Sequence, residues 1–150
     1  MNDEYFMRQA IALAKEAAEE GEVPVGAVVV FDGKIVGKGR NRREISKNAL
    51  AHAEIEAINE ACRALGGWRL WQCDIYVTLE PCPMCTGAII NSRIKRLVYG
   101  ASDYKAGSCG SVIDLFSLPY NHKPEVTKGV MQEECAALLS DFFKKLRKKL

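Results

Sequence analysis

A histidine, a glutamate and two cysteines form the most informative pattern in this sequence. His52 and Glu54 lie in the segment AHAEIEAI, and Cys82 and Cys85 lie in TLEPCPMC further along the chain. Imidazole and thiolate groups suit zinc, and a tetrahedral ion held by three protein groups keeps its fourth position for water. A nearby carboxylate that is not a ligand, here Glu54, can accept a proton from that water. The pattern therefore predicts metal-assisted hydrolysis.

The cysteine pair has two other interpretations: a thioredoxin-like redox pair, or half of a structural zinc knuckle. A redox pair does not need a distant histidine and glutamate. A structural site needs a fourth ligand at suitable spacing, but the remaining cysteines are scattered and His122 is predicted to lie in a loop. The catalytic site is therefore favoured. Four cysteines are predicted to be buried free thiols instead: Cys62, Cys73, Cys109 and Cys135.

The composition predicts a single globular domain over residues 1–150. The chain has 150 residues, of which 48% are hydrophobic and 27% charged, as in folded proteins with their own core. Its net charge of +2 is too small to indicate nucleic-acid binding by itself. The N-terminal segment MNDEYFMRQ lacks the order of basic and apolar residues of a secretory signal, so a cytoplasmic location is predicted.

The elements that must position these side chains alternate between helices and strands. Helices are predicted at about 3–20, 50–65, 82–92 and 132–150, with Asp3 as the cap of the first. Strands are predicted at 27–31, 34–39, 75–79, 96–100 and 126–130, the first two as an antiparallel hairpin. Strand, helix and strand around the cysteine pair imply parallel strands joined by a right-handed crossover. The core is therefore predicted to be a mixed sheet between helices.

The predicted helices place the chemical groups near helix starts. Cys82 and Cys85 are expected on one side of a first turn, where free N–H groups and the helix dipole favour thiolates. His52 and Glu54 are expected in the first turn of the preceding helix, whose apolar stripe is formed by Ile55, Ile58 and Cys62. Residues two apart on a helix do not face the same way. The prediction that His52 and Glu54 act at one site is therefore supported by the H-x-E motif and not by helical spacing.

Two polar loops are the best candidates for substrate contacts. The first, 40–48, places four basic residues around Asn41: Arg40, Arg42, Arg43 and Lys47. The second, 101–110, carries Asp103 and Lys105 and follows a strand end, where α/β proteins commonly place ligands. The last helix ends in a basic run that is either a solvated face or a surface for RNA phosphates: Lys144, Lys145, Arg147, Lys148 and Lys149.

Beyond the HAE and PCPMC motifs, further segments resemble the bacterial tRNA-specific adenosine deaminases of the cytidine deaminase superfamily. They are EVPVGAVVV, GRNR, SRIKRLVYGASDYKAG and ECAALLSDFF, so the resemblance covers nearly the whole chain. H-x-E followed by P-C-x-x-C is the known signature of zinc deaminases. The resemblance implies a three-layer α/β/α fold with a mixed five-stranded sheet, a homodimer, and hydrolysis of adenosine to inosine at the wobble position (34) of an arginine tRNA anticodon.

The resemblance also implies a role for each site residue. It places the zinc ligands, for about one ion per chain, at His52, Cys82 and Cys85. It makes Glu54 the shuttle that takes the water proton, protonates N1 of the base as hydroxide attacks C6, and helps ammonia to leave. It places a contact with the target nucleoside at Asn41 and contacts with the anticodon at Asp103 and Lys105. Some relatives are non-catalytic partner subunits without the shuttle glutamate, and the presence of Glu54 argues against that role.

Two alternative functions compete with this interpretation. A deaminase of a free base or nucleotide, of the guanine or cytosine type, shares the metal chemistry but needs a lid, whereas a flipped anticodon base needs an open, basic rim. The loop sequence ASDYKAG and the basic C-terminal run favour the open rim. A zinc-stabilised RNA-binding module would bind RNA without any turnover that a Glu54 substitution could remove.

Overall fold

The computed structural model describes residues 2–149, and a five-stranded mixed sheet forms its centre. The strands are β1 (Gly26–Phe31), β2 (Lys34–Arg40), β3 (Cys73–Leu79), β4 (Arg96–Ala101) and β5 (Glu125–Lys128). Their order across the sheet is β2-β1-β3-β4-β5. β1 is antiparallel to β2 and β3, while β4 is parallel to β3 and β5. The predicted hairpin and the predicted parallel pair are confirmed.

Helices cover both faces of the sheet. They are α1 (Asp3–Glu19), α2 (Arg43–Ser46), α3 (Ala53–Leu65), α4 (Pro83–Asn91) and α5 (Gln132–Lys148), with a 3-10 turn at Leu115–Ser117. α1 and α5 pack on the face that carries Val28, Tyr76 and Val98, and α3 and α4 pack on the other. The predicted three-layer α/β/α fold is confirmed. Among residues 2–149, none of the helices combines the length and the apolar character of a membrane span.

Close contact between α3 and β2 fixes the start of α3. β2 has Gly37 and Gly39 at its contact with α3, so the backbones of the two elements pack directly against each other. A Cβ atom added to Gly39 would overlap the carbonyl oxygen of Ala53 and crowd the amide of Ala57. The glycines therefore let the first turn of α3 lie against the sheet edge, and that turn carries Glu54.

The prediction that Asp3 caps α1 is wrong. Asn2 is the cap, because its Oδ1 accepts a hydrogen bond from the backbone N–H of Glu4 at 3.0 Å. The carboxylate of Asp3 accepts two hydrogen bonds from the Arg96 guanidinium, at 2.9 and 2.6 Å, and one from the Tyr76 hydroxyl at 2.7 Å. Asp3 therefore joins α1 to β3 and β4, a contact between residues far apart in the sequence.

Replacing Asp3 with Asn should lower the free energy of unfolding by about 1 kcal/mol, since the pair is partly exposed. The Arg96 hydrogen bonds hold the pKa of Asp3 below its ordinary value of 3.8. This contribution is thus fully present above pH 3.8 and is lost as the pH falls through the lower pKa of the folded state. Urea unfolding of both proteins should show a difference at pH 7 that shrinks below pH 4. A difference independent of pH would contradict this.

The segment 40–48, predicted to be a loop, contains the short helix α2. The carboxylate of Glu22, which is buried, accepts hydrogen bonds from the backbone N–H groups of Glu44 and Ile45 at 3.1 and 2.7 Å. These are N–H groups in the first turn, which have no partner within a helix. A distant side chain therefore stabilises α2, which is why the local sequence did not indicate it.

Candidate metal centre and active site

The three predicted ligand atoms converge on one point. Nδ1 of His52 lies 3.6 Å from Sγ of Cys82 and 3.5 Å from Sγ of Cys85, and all three atoms lie within 4.8 Å of one another. A tetrahedral zinc ion, with Zn–N near 2.0 Å and Zn–S near 2.3 Å, would separate nitrogen and sulfur ligands by about 3.5 Å. The donor types and their spacing therefore fit such an ion. Within residues 2–149, no fourth His, Cys, Asp or Glu belongs to the cluster.

Two of the predicted ligands occupy N-cap positions, which corrects the predicted helix starts. His52 precedes α3, and Cys82 precedes α4, each with an extended backbone (φ −84°, ψ 152° and φ −75°, ψ 175°). Because His52 is not yet helical, the rule that residues two apart on a helix diverge does not apply to it and Glu54. Pro83 starts α4, where its missing N–H costs nothing, and Cys85 lies in the first turn.

Glu54 lines one cavity together with His52 and Cys82, lies on the buried face of α3 and is 4% exposed. The expected stripe of Ile55, Ile58 and Cys62 is only partly correct, since Ile55 and Cys62 are half-buried. The buried face consists of Ala53, Glu54, Ala57, Ile58 and Ala61. Desolvation raises the pKa of the Glu54 carboxyl to about 7. A carboxyl of this kind can accept and release a proton near neutral pH.

The two thiols of the cluster differ in acidity. A hydrogen bond from Cys85, reinforced by His52, lowers the pKa of Cys82 to about 4. The same bond to Cys82, together with burial, raises the pKa of Cys85, and the Cys82 hydrogen bond raises the pKa of His52. Since metal ligands must be deprotonated, an ion bound at this cluster would displace protons from Cys85 and His52, whereas the lowered pKa of Cys82 favours its thiolate.

The other cysteines and the second histidine lie outside the cluster. All six cysteines are free thiols. Cys73, Cys109 and Cys135 are buried as predicted, whereas Cys62 is half-buried. His122 lies in a loop as predicted, with its Nε2 atom 2.7 Å from the carbonyl oxygen of Ile94. No residue of this set contributes to the candidate metal site.

A cavity of about 210 Å³ opens onto the cluster. Val23, Val25 and Leu79 give it apolar walls, while Asn41 and Asp103 bring polar groups to its rim. This combination of apolar walls and a few polar groups is typical of a ligand site. The structure therefore places two of the three predicted substrate-contact residues at the cavity.

The polar rim residues are held by their own loops. The Asn41 side chain donates to the carbonyl oxygen of Val23 at 3.1 Å and accepts from the backbone N–H of Arg43 at 3.2 Å. Oδ1 of Asp103 accepts from the backbone N–H of Lys105 at 3.0 Å. Lys105 itself is exposed and does not line the cavity. Its predicted contact with the anticodon stays a prediction.

Sequence reasoning missed Glu80, which also lines the cavity and is 2% exposed. Burial alone raises the pKa of this carboxyl, but hydrogen bonds from Ser111 and from the backbone of Asp103, Cys109 and Ser111 bring it below its ordinary value. The only signal in the sequence was an acidic residue that directly follows an apolar strand.

The fold and the family match together define a deaminase domain with a candidate metal site. A family model of the MafB19-like deaminases matches residues 1–147. The candidate metal site, the buried glutamate and the mixed sheet therefore all lie within the region that matches the deaminase family.

Similarity to individual proteins shows which family of deaminases the chain belongs to. The chain is 51% identical over 148 residues to the tRNA-specific adenosine deaminase of Bacillus subtilis (strain 168), a match that covers 98% of this chain and 92% of the relative. A solved structure from studies of A-to-I editing by tRNA:A34 deaminases at the wobble position of transfer RNA is 46% identical, with a TM-score of 0.88, covering 90% of this chain and 99% of that one. The chain belongs to the family of tRNA-specific adenosine deaminases, as the sequence motifs indicated.

A more distant relative has a different substrate. The guanine deaminase of Bacillus subtilis is 34% identical, with a TM-score of 0.68, and the match covers 99% of this chain and 95% of that one. The shared fold therefore accommodates both a nucleoside in RNA and a free base.

Proposed function

We propose that this protein hydrolyses adenosine to inosine at the wobble position (34) of an arginine tRNA anticodon, as a single catalytic domain over residues 1–150. The observation that carries the proposal is the cluster of His52, Cys82 and Cys85, with the buried Glu54 beside it, at a cavity with apolar walls and a few polar groups. The similarity to the deaminase of Bacillus subtilis supports tRNA as the substrate.

Zinc is the proposed metal, at about one ion per chain. Its ligands are His52, Cys82 and Cys85, whose nitrogen and sulfur donors suit zinc better than they suit magnesium or calcium. When bound, zinc supplies the Lewis acidity that lets a water molecule lose a proton near neutral pH.

Glu54 is proposed to move the protons of the reaction. Its carboxylate accepts a proton from the attacking water and delivers it to N1 of adenine as the water oxygen bonds to C6. It then passes the second water proton to the departing amino group, so that the C6–N bond breaks and ammonia leaves. Burial of Glu54 keeps bulk solvent out of these transfers.

Asn41, Asp103 and Lys105 are proposed to bind the RNA. Asn41 and Asp103 line the cavity, so they are placed to contact the target nucleoside and its neighbours. Lys105 and the basic end of α5 are exposed, which leaves them available for phosphates. The basic residues of α5 are equally compatible with a solvated face, and their role stays a prediction.

A homodimer in the cytoplasm is proposed for the assembled enzyme. Large apolar side chains are exposed in the single chain, among them Leu50, Trp68 and Trp71 at 59%, 51% and 62%. Exposed apolar side chains commonly mark an interface where they form one contiguous patch. Sedimentation equilibrium should therefore give twice the 16.6 kDa mass of the chain.

An assay of four substrates tests the proposed reaction. The purified protein should form inosine in an arginine tRNA anticodon stem-loop and should act on free adenosine, guanine and cytidine more than about 100-fold less efficiently, because contacts remote from the base raise kcat/KM. Inosine is measured by nuclease digestion and chromatography, and ammonia release reports on the free compounds. A stem-loop with guanosine at position 34 is the matched control.

Each contrary outcome of this assay favours one alternative. Faster release of ammonia from guanine or cytidine would favour the alternative of a free-base or nucleotide deaminase, which the similarity to a guanine deaminase supports. Binding of the stem-loop with no product from any compound would favour a zinc-stabilised RNA-binding module.

A further inference from the structure

A buried carboxylate without a role in the proposed chemistry lies between the metal centre and the loop 102–111. Glu80 directly follows β3 and precedes Pro81, so it is two residues from the ligand Cys82. Its backbone N–H donates to the carbonyl oxygen of Ala101 at 2.8 Å. Glu80 therefore lies at the junction of two strands: β3, which precedes the predicted ligands Cys82 and Cys85, and β4, which precedes the loop.

Within the described part of the chain, residues 2–149, the Glu80 carboxylate accepts hydrogen bonds only from this loop. Oε1 accepts hydrogen bonds from the backbone N–H of Asp103 at 3.0 Å and from the Ser111 hydroxyl. Oε2 accepts from the backbone N–H groups of Cys109 and Ser111 at 3.0 and 3.1 Å. Both ends of the loop are thus held by one side chain.

The loop approaches Glu80 closely at its middle as well. A Cβ atom added to Gly107 would overlap the Glu80 carboxyl group and the carbonyl oxygen of Asp103. The next residue, Ser108, donates its backbone N–H to the carbonyl oxygen of Pro81 at 2.9 Å. The loop therefore has a fixed position relative to the segment that bears Cys82.

A carboxylate is needed for this arrangement. The ion pairs among residues 2–149 do not include Glu80, so backbone and hydroxyl donors alone stabilise its buried charge. A glutamine at the same place has one acceptor oxygen and would turn its NH₂ group toward backbone N–H groups. Burying a charge costs free energy that an apolar residue would avoid. We therefore attribute the carboxylate to the hydrogen bonds that hold the loop in position, and not to a gain in stability.

We propose that Glu80 is a positioning residue for the RNA substrate, which acts through the loop 102–111 to hold Asp103 at the rim of the cavity. The inference rests on the proposed function, because it requires that this loop contacts the substrate. Among residues 2–149, no side-chain hydrogen bond joins Glu80 to the predicted ligands or to Glu54, so its loss should weaken substrate binding and leave the chemistry intact.

Glu80→Gln tests this role with little change in side-chain volume. The KM for the anticodon stem-loop should rise about tenfold while kcat stays within about threefold, which corresponds to the loss of about 1.4 kcal/mol, or roughly one hydrogen bond to the substrate. Zinc content should equal that of the wild type. Amide hydrogen exchange should accelerate in the loop 102–111 and remain unchanged in β1 and α4.

Two further variants separate the effect of the position of the loop from the effect of losing a negative charge. Gly107→Ala keeps a carboxylate at residue 80 but forces the Glu80 side chain and the loop apart, so it should raise KM in the same way with zinc retained. Asp114→Asn is the matched acid-to-amide control, since Asp114 caps the 3-10 turn just after the loop and does not line the cavity. It should leave KM and kcat unchanged. If Glu80→Gln does not fold, Gly107→Ala carries the same test.

The outcomes distinguish this inference from the proposed function. A wild-type KM in both Glu80→Gln and Gly107→Ala would overturn the inference. Loss of zinc, or a fall in kcat at constant KM, would also overturn it, because Glu80 would then act on the metal centre. If the wild type forms no inosine in the stem-loop, the proposed function fails, while the exchange experiment still reports whether Glu80 holds the loop.

Discussion

Glu54→Ala should reduce turnover of the anticodon stem-loop by about 10⁴-fold, the upper end of what a positioned general acid/base contributes. Zinc content and affinity for the stem-loop should stay near those of the wild type. The reason is that Glu54 shares a cavity with His52 and Cys82 without belonging to the cluster of predicted ligands. Alanine is also compatible with its place in α3, so the helix that follows His52 should persist. Single-turnover formation of inosine gives the rate, and metal analysis gives the zinc content.

A glutamate elsewhere on α3 provides the control for Glu54→Ala. Glu60 lies on the exposed face of the same helix and accepts a hydrogen bond from the backbone N–H of Lys38 at 3.2 Å. Glu60→Ala removes the same atoms from the same helix and should leave turnover unchanged. Substantial turnover in Glu54→Ala, with both variants folded, would remove Glu54 from the proposed mechanism.

His52→Ala should release the metal and with it all activity. The substitution leaves two thiols, and two protein ligands hold zinc far more weakly than the three that catalytic sites normally supply. After dialysis against a weak chelator, we expect about one zinc per chain in the wild type and about a tenth of that or less in the variant. Mass spectrometry of the metal content, normalised to protein concentration, measures this directly.

The chain offers a matched control for this change as well. His122 is the other of the two histidines, and it lies in a loop against the carbonyl oxygen of Ile94. His122→Ala should keep zinc and activity. Full retention of zinc by His52→Ala would show that the cluster does not hold the ion through this imidazole, and the proposed ligand set would have to be abandoned.

The sequence by itself determined the chemistry and the class of fold. Ligand types are fixed by residue identity, so the side chains of His52, Cys82 and Cys85 indicate a metal through their donor atoms alone. Helix and strand periods are likewise local properties, and the strand, helix and strand order around the cysteines restricts the connection to a parallel crossover. For that reason the hairpin, the parallel pair and the three layers were all predicted correctly.

Only the tertiary structure decided how the side chains reach the site. His52 and Cys82 lie at N-cap positions, one residue outside the helices, and this resolves the orientation of His52 and Glu54 that helical spacing could not explain. Helix boundaries depend on caps and packing more than on propensity, which makes them hard to read from a pattern.

Carboxylates whose partners are distant in the sequence show most clearly what a local pattern cannot predict. Glu22 caps α2, and Glu80 binds the loop 102–111, with partners that lie 22 to 31 residues away in the chain. Asp3 pairs with Arg96, which is more distant still. A carboxylate is stable in a protein interior only where backbone and side-chain donors converge on it. Such convergence is created by the fold, and so no local sequence pattern could reveal it.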